Sequence, residues 1–554
     1  MLAEHHDRFP LAGRAALCLA ASFAMLALST APATAADAKV IHQLGIGEGI
    51  NTVGIMPGGK DVEATGPQAM YMGEDGKLYV LDQINGRILS MDADNPQAPP
   101  KELKLPDNLS PNDLVTVNNQ LYVWDGQVHA LSADPGKEGS PLEARAVGDV
   151  DDVTRSAFAQ MGSQTPSSDE DVLNTAGRSL NTSTFDTPIK STLQSRALGA
   201  INVDVLPRKD GKSAVIELRP DSDPLQVNHA DVKVKDKLGV LEVLDVTAKG
   251  DVFVFTEDVP LAGKGSSTYV ARYNAKGKLV SIFDMPISPD QLASKRFVTI
   301  SPGGSVLFLK SDATGVAIVE LKGRTPASQT LEPPKVKVAA AEPTDLGPGI
   351  DADIVTAVRP NSRLGAIRMG LAFEGLKWTV TQQNYGPDPD PTCTGFADRT
   401  RRPWYLSGKV GQEVRGVPYC WGCFGTILQF KRNVERGVLA GNICTKNDPR
   451  RDVAGVDCSA FVSACWGLSH QYTTQDIPSI TEPVQNPWDM KPGDAFNKAG
   501  SHVMLFVKFT PDRKAEVLES STGGCNGRVC RNVYPLSVLL ARGYKPVRYK
   551  ALTD

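Results

Sequence analysis

The sequence predicts a multidomain protein, with an all-β, propeller-like N-terminal domain followed by an α+β C-terminal domain. Three observations carry this reading. The chain has 554 residues, well past the roughly 250–300 at which a single core stops growing. From about residue 40 to 321, short β-type runs recur with Gly, Asp and Asn turns. Of nine cysteines, all but Cys18 lie at or beyond Cys393, so one half of the chain lacks thiols and the other is full of them. A hydrophobic content of 41% with 22% charged residues describes a folded globular chain rather than a disordered one. With 63 acidic against 59 basic residues and a net charge of −4, no broad basic field exists. Nucleic acid and anionic membrane are therefore not expected as main partners.

Residues 15–28 form an uncharged apolar run behind Arg8 and Arg14, and Ala33-Thr34-Ala35 has the form of a signal-peptidase site. The run is shorter than the ~20 residues needed to span a bilayer. Leu17 precedes Cys18, so the small residue of a lipoprotein cleavage site is missing. Residues 1–35 read as a cleaved export signal. The expected mature protein is exported, periplasmic or secreted, with no stable membrane span.

Residues 36–321 hold four similar segments. Lys77-Leu78-Tyr79-Val80-Leu81-Asp82 follows the Asp75-Gly76 turn, and Gln120-Leu121-Tyr122-Val123-Trp124 follows Asn118-Asn119. Asp251-Val252-Phe253-Val254-Phe255 follows Lys249-Gly250, and Ser305-Val306-Leu307-Phe308-Leu309 follows Gly303-Gly304. A repeat of strand and tight turn every roughly 40 to 55 residues is the pattern of a propeller blade. The segments resemble blades of NHL- or YWTD-type propellers, and a sandwich or stacked hairpins is the alternative. Residues 135–200, rich in Ser, Thr and Asp, break the pattern and read as an insertion. His42, His129 and His229 are scattered and expected to be structural. This domain is expected to bind a protein or glycan partner, or to gate a site elsewhere.

Residues 322–350, with Pro326, Pro333, Pro334, Pro343 and Pro348 and a run of alanines, read as a linker. The second domain, residues 351–554, opens with Leu364, Ile367 and Leu371 at helical spacing behind a Pro360-Asn361-Ser362 start and cap. Its cysteines read as disulfides in an oxidising compartment. A zinc site built on Cys393, Cys420, Cys423 and Cys444 is the alternative, but no histidine joins that cluster. No metal and no cofactor is expected. Cys525 is expected to join Cys530 across Gly527, with Cys465 left free.

Three blocks in this domain carry chemistry. Gly416-Val417-Pro418-Tyr419-Cys420-Trp421-Gly422 comes first, then Gly455-Val456-Asp457-Cys458-Ser459-Ala460-Phe461-Val462. Pro492-Gly493-Asp494 follows, ahead of Ser501-His502-Val503-Met504-Leu505-Phe506-Val507. Asp457 is suited to cap a helix starting at Cys458, with Phe461, Val462 and Cys465 on its buried face. A thiol there meets the positive end of the helix dipole, which favours the thiolate nucleophile, and nearby N–H groups can hold an oxyanion. His502 opens a strand and is the expected base, whereas His470 sits in a polar stretch and reads as a solvated loop residue.

In this order the blocks resemble the NlpC-type cysteine peptidases of the bacterial cell wall, which have a compact, papain-like α+β fold. The resemblance covers about residues 355–554. It implies Cys458 as nucleophile and His502 as base, with Tyr419, Asp457 and Ser459 beside the substrate. It also implies an amide bond of peptidoglycan stem peptides, between γ-D-glutamate and a diamino acid, as the target. Two features depart from the family. Residues 423–454 are long, and with the surrounding cysteines are expected to form a disulfide-tied rim of the cleft. The third catalytic position, most often His, Asn or Gln in the family, is offered here by Glu519. A simple hairpin pairing Val507 with Lys514 would set His502 opposite Glu519 on one face, whereas a β-bulge would turn Glu519 away. The alternatives are an amidase or acyltransferase acting on a lipid or other non-murein amide, and a propeller-based binding protein with a degenerate peptidase domain.

Overall fold

The computed structural model describes residues 38–133, 139–161, 169–176, 187–223, 228–263, 265–326, 361–389, 393, 400–445 and 452–553. The export signal, most of the linker and the first ten residues of the second domain lie outside them. The described chain is mostly β, and residues 38–326 contain five sheets, antiparallel but for the pair Lys39–Ile46 and Thr52–Val53, that resemble propeller blades.

The first sheet runs Ala69–Met72, Lys77–Asp82, Arg87–Asp92 and Lys101–Lys104. The second runs Asp113–Val117, Gln120–Trp124, Val128–Ser132 and Glu143–Ala146. The tight turns that mark them in sequence are real. Gly76 takes φ 76° and Asn118 and Asn119 take φ 53° and 59°, left-handed positions that only such residues adopt readily. The fourth sheet spans Leu238–Val246 to Leu279–Asp284.

The fifth sheet is completed from far away. Val298–Ile300, Val306–Asp312 and Gly315–Glu320 are joined by Lys39–Ile46, which pairs antiparallel with Gly315–Glu320. The innermost strands touch in circuit: fifth with first, first with second, third with fourth, and fourth with fifth. Between the second and third sheets a helix, Asp152–Ala159, contacts both.

The region read as an insertion therefore splits. Its start supplies the last strand of the second sheet and this wedging helix. Its end, Ile189–Ser195, opens a third sheet that continues through Gly199–Pro207, Ser213–Pro220 and Asn228–Lys233. Leu193, Ile201, Val203, Ile216, Leu218 and Val232 turn inward to form a core shared with Val243, Val254 and Ala271 of the fourth sheet.

At the other end of the chain, an antiparallel sheet has six strands in the order Thr481–Pro483, Lys545–Tyr549, Ala495–Lys498, His502–Phe509, Ala515–Ser521 and Arg528–Tyr534. Two helices, Arg363–Gly375 and Cys458–Cys465, pack together on it, with Phe373 and Phe461 edge to face at 5.6 Å. Ser362 caps the first, its Oγ accepting from Gly365 N at 3.0 Å.

The strand His502–Phe509 is buried at every position. Val503, Leu505 and Val507 join the core beneath the helices. Met504 and Phe506 point the other way, into a cluster that includes Val259 at the end of the fourth sheet. A strand covered on both faces reads as a continuous apolar run, and this one lies between the helices and the β-rich region.

Candidate active site

The helix Cys458–Cys465 places its first residue at the end of the six-stranded sheet. Asp457 holds that end firmly. Its Oδ1 accepts from Ala460 N at 2.7 Å, its Oδ2 accepts from Gly422 N at 2.9 Å, and Gln471 Nε2 donates to both oxygens. Ser459 Oγ donates to Asp457 Oδ1 at 3.0 Å. Burial raises the Asp457 carboxyl to about 6, against these hydrogen bonds. Asp457 and Ser459, which the sequence reading set beside the substrate, are buried and hydrogen-bonded in fixing the helix start.

His502 Nε2 lies 2.7 Å from Glu519 Oε2, and the ring is hydrogen-bonded to Cys458. The expected hairpin register is not the one formed. The pairs are Phe509 with Ala515 and Lys508 with Glu516, then Phe506 with Val517 and Leu505 with Leu518, with a bulge between Phe506 and Lys508. Beyond the turn the strands are three positions out from the expected pairing, an odd offset that would flip Glu519 to the far face. The bulge takes back one position and leaves an even offset of two. His502 and Glu519 then become diagonal neighbours on the same face. The bulge turns Glu519 in, not away.

Glu519 is fully satisfied. Its Oε1 accepts from Asn532 Nδ2 and from the Tyr534 hydroxyl, each at 2.7 Å. Burial works against its charge, but these bonds and His502 hold the carboxyl below its ordinary value. The sequence reading missed Asn532 and Tyr534. Both sit on the strand paired with the Glu519 strand, where Glu519 faces Cys530, so period-2 reading of that hairpin could have found them. Burial likewise opposes the imidazolium of His502, yet its contacts with Cys458 and Glu519 hold it well above the usual histidine value.

Cys458 itself is 0% exposed. The helix start was expected to lower its pKa. Instead burial pushes the thiol up and outweighs the pull of His502. Tyr419, 2% exposed, carries a hydroxyl with no hydrogen-bond partner, and the Cys458 and Asp457 charges both act on it. His470 is exposed and stacks near Tyr472.

The cysteines weighed for zinc are paired as Cys393–Cys444 and Cys420–Cys423, and Cys525 joins Cys530. Cys458 and Cys465 are free thiols. Among the described residues no cluster of His, Cys, Asp or Glu is arranged to hold a metal ion.

No protein-family model matches the chain, and no curated protein matches it either. Among solved structures it shows distant likeness to a streptogramin B lyase, at 10% identity and TM-score 0.23, over 49% of this chain and 97% of that one. A luciferin-regenerating enzyme aligns at 9% identity and TM-score 0.21, over 48% of this chain and 92% of that one. Hydrazine synthase of Kuenenia stuttgartiensis aligns at 14% identity and TM-score 0.21, over 44% and 76%. Likeness at this level carries no argument about the activity of this chain.

Proposed function

We propose that the protein is a cysteine hydrolase of amide bonds, with Cys458 as nucleophile, His502 as base and Glu519 as the group that orients the imidazole. The observation that carries the reading is the buried hydrogen-bonded series Cys458, His502, Glu519, closed at its far end by Asn532 and Tyr534. With Nε2 committed to Glu519, the other ring nitrogen is left for the thiol. The thiolate attacks a carbonyl carbon. The oxyanion falls to the Tyr419 hydroxyl and to the backbone N–H of Cys458, which precedes the N–H that Asp457 caps. His502 gives its proton to the departing amine, and water then releases the acyl group from sulfur.

The papain-like, NlpC-type fold and peptidoglycan stem peptides as substrate belong to this proposal, on the strength of the ordered motifs. Export fits the three disulfides, and among the described residues no helix is long and apolar enough to cross a membrane. The blade-like region is then available for a protein or glycan partner.

The test is incubation of the full chain with purified muropeptides, with Cys458→Ala as control and products read by mass spectrometry. The expected result is amide cleavage by preparations in which Cys458 is open to iodoacetamide, and none by Cys458→Ala. Absence of cleavage by a preparation whose Cys458 is freely alkylated by iodoacetamide would overturn the reading.

A further inference from the structure

The thiol has an unexpected neighbour. Between the strand Thr52–Val53 and the first sheet, residues 56–65 fold into a short finger. Met56 and Thr65 exchange backbone hydrogen bonds at 2.8 and 2.9 Å, and Gly59 and Val62 do so at 3.0 and 3.2 Å. Asp61, at φ 57°, makes the reversal. Gly58 lets the two arms close, since a Cβ there would stand 2.9 Å from Ala64 N and Val62 O.

The finger reaches into the candidate site. Cys458 Sγ donates to the Asp61 carbonyl oxygen at 3.5 Å. Asp61 N donates to Gly500 O at 3.3 Å, and the Asp61 carboxylate accepts from both the Thr474 N–H, at 2.9 Å, and the Thr474 hydroxyl. Trp421 Nε1 donates to Lys60 O at 2.9 Å. Met56 and Val62 pack with Tyr419 and Ile443. At the base of the finger, Glu63 is held by Arg542 at 2.5 Å and Tyr544 at 3.1 Å, and Thr65 meets Thr522 at 3.2 Å.

We propose that residues 56–65 are a built-in inhibitor that fills the substrate cleft, and that the chain is inactive until this finger withdraws. The proposal rests on Cys458 being the nucleophile. A substrate's scissile carbonyl needs the space at Cys458 Sγ that the Asp61 carbonyl now takes. The finger occupies the site without reacting in it. Its carbonyl oxygen accepts from the thiol rather than from Tyr419, whose hydroxyl is left without a partner, so the oxygen is not seated where an oxyanion would be stabilised. The tight reversal also keeps the Asp61–Val62 bond from lying extended through the cleft. Both ends run directly into β-strands of the blade-like region, so opening requires that region to shift on the six-stranded sheet or the finger to be cut.

The experiment measures the rate at which iodoacetamide labels Cys458 in the folded full-length chain, with the labelled peptide identified by mass spectrometry. Asp61→Ala removes the carboxylate bonds to Thr474, and Trp421→Phe removes only the indole bond to Lys60 from a partly exposed ring. Losing hydrogen bonds to a charged group should raise the population of locally open chain, so labelling in Asp61→Ala should be at least about tenfold faster than in the native chain. Trp421→Phe should give a smaller gain in the same direction, about threefold, and keeps the test valid if Asp61→Ala does not fold. Equal slow labelling in native and variant chains would overturn the proposal, as would native Cys458 labelling at the rate of a denatured chain. Fast labelling in the variants without muropeptide cleavage would leave the finger's role standing and overturn the peptidase reading instead.

Discussion

Two buried ionic groups, one in each half of the molecule, have different surroundings. Beside the fifth sheet, Arg296 reaches across to Asp113 of the second sheet at 2.6 Å and also donates to Ala157 O and Phe158 O of the wedging helix. Both partners are almost fully buried. The guanidinium meets acceptors on two elements and ties its own segment to both. In the six-stranded sheet, Glu519 is equally well bonded, but the series it anchors runs through His502 to a thiol and ends beside a tyrosine hydroxyl without a partner. A buried charge whose valences are all met is scaffold. A buried polar series that stops at a thiol and an unpartnered hydroxyl is where chemistry can happen.

The contrast can be broken most severely at the base. In a chain with accessible Cys458, His502→Gln keeps an N–H for Glu519 but cannot accept a proton. Hydrolysis should fall about 10²- to 10⁴-fold, measured as kcat/KM on muropeptide, while circular dichroism stays native. Arg296→Met should do the reverse. Removing the guanidinium from the buried Asp113 carboxylate should cost about 3–5 kcal/mol, read from urea midpoints, with activity per folded molecule retained.

Tyr419→Phe sharpens the comparison because its two effects are opposed. Hydrolysis should slow about 10²-fold through loss of an oxyanion donor. Stability should hold or rise by about 1 kcal/mol, because an unpaired buried hydroxyl is removed. A Tyr419→Phe chain that is both less stable and fully active would make Tyr419 a packing residue.

The smallest effect is expected where the halves meet. Glu257 of the fourth sheet accepts from Ser537 N at 2.8 Å and from Val240 N at 3.1 Å, and burial raises its carboxyl to about 7 from an ordinary 4.5. The folded chain therefore keeps a proton there that the unfolded chain releases. Stability from this group is present below about pH 4.5 and declines as pH rises towards 7. Melting temperatures of Glu257→Gln should lack that slope between pH 4.5 and 7, seen as a native-minus-variant difference.

Legibility differed between the halves for physical reasons. Strands around Tyr79, Tyr122, Phe253 and Leu307 were visible because tight Gly or Asn turns punctuate them. The third sheet went unseen because its start lies in a polar stretch and its long strands alternate strictly, without the apolar runs of its neighbours. Closure by Lys39–Ile46 is a pairing across most of the domain, which no local pattern encodes. In the C-terminal half, residue types at fixed spacing marked Cys458 and His502, and Glu519 came from the hairpin. Its register was misjudged because a bulge leaves no mark in composition. The finger was not legible at all. Pro57-Gly58-Gly59-Lys60-Asp61 reads as an ordinary turn until the fold brings Cys458 against it.

Order along the chain gives the finger a further consequence. Asp61 and Cys458 are 397 positions apart, and synthesis proceeds from the N-terminus, with early domains folding as units. The occupant of the cleft therefore exists before the cleft does. If residues 56–65 inhibit as proposed, the last strands of the six-stranded sheet form when their occupant has already been made. A guard encoded after Cys458 would arrive late.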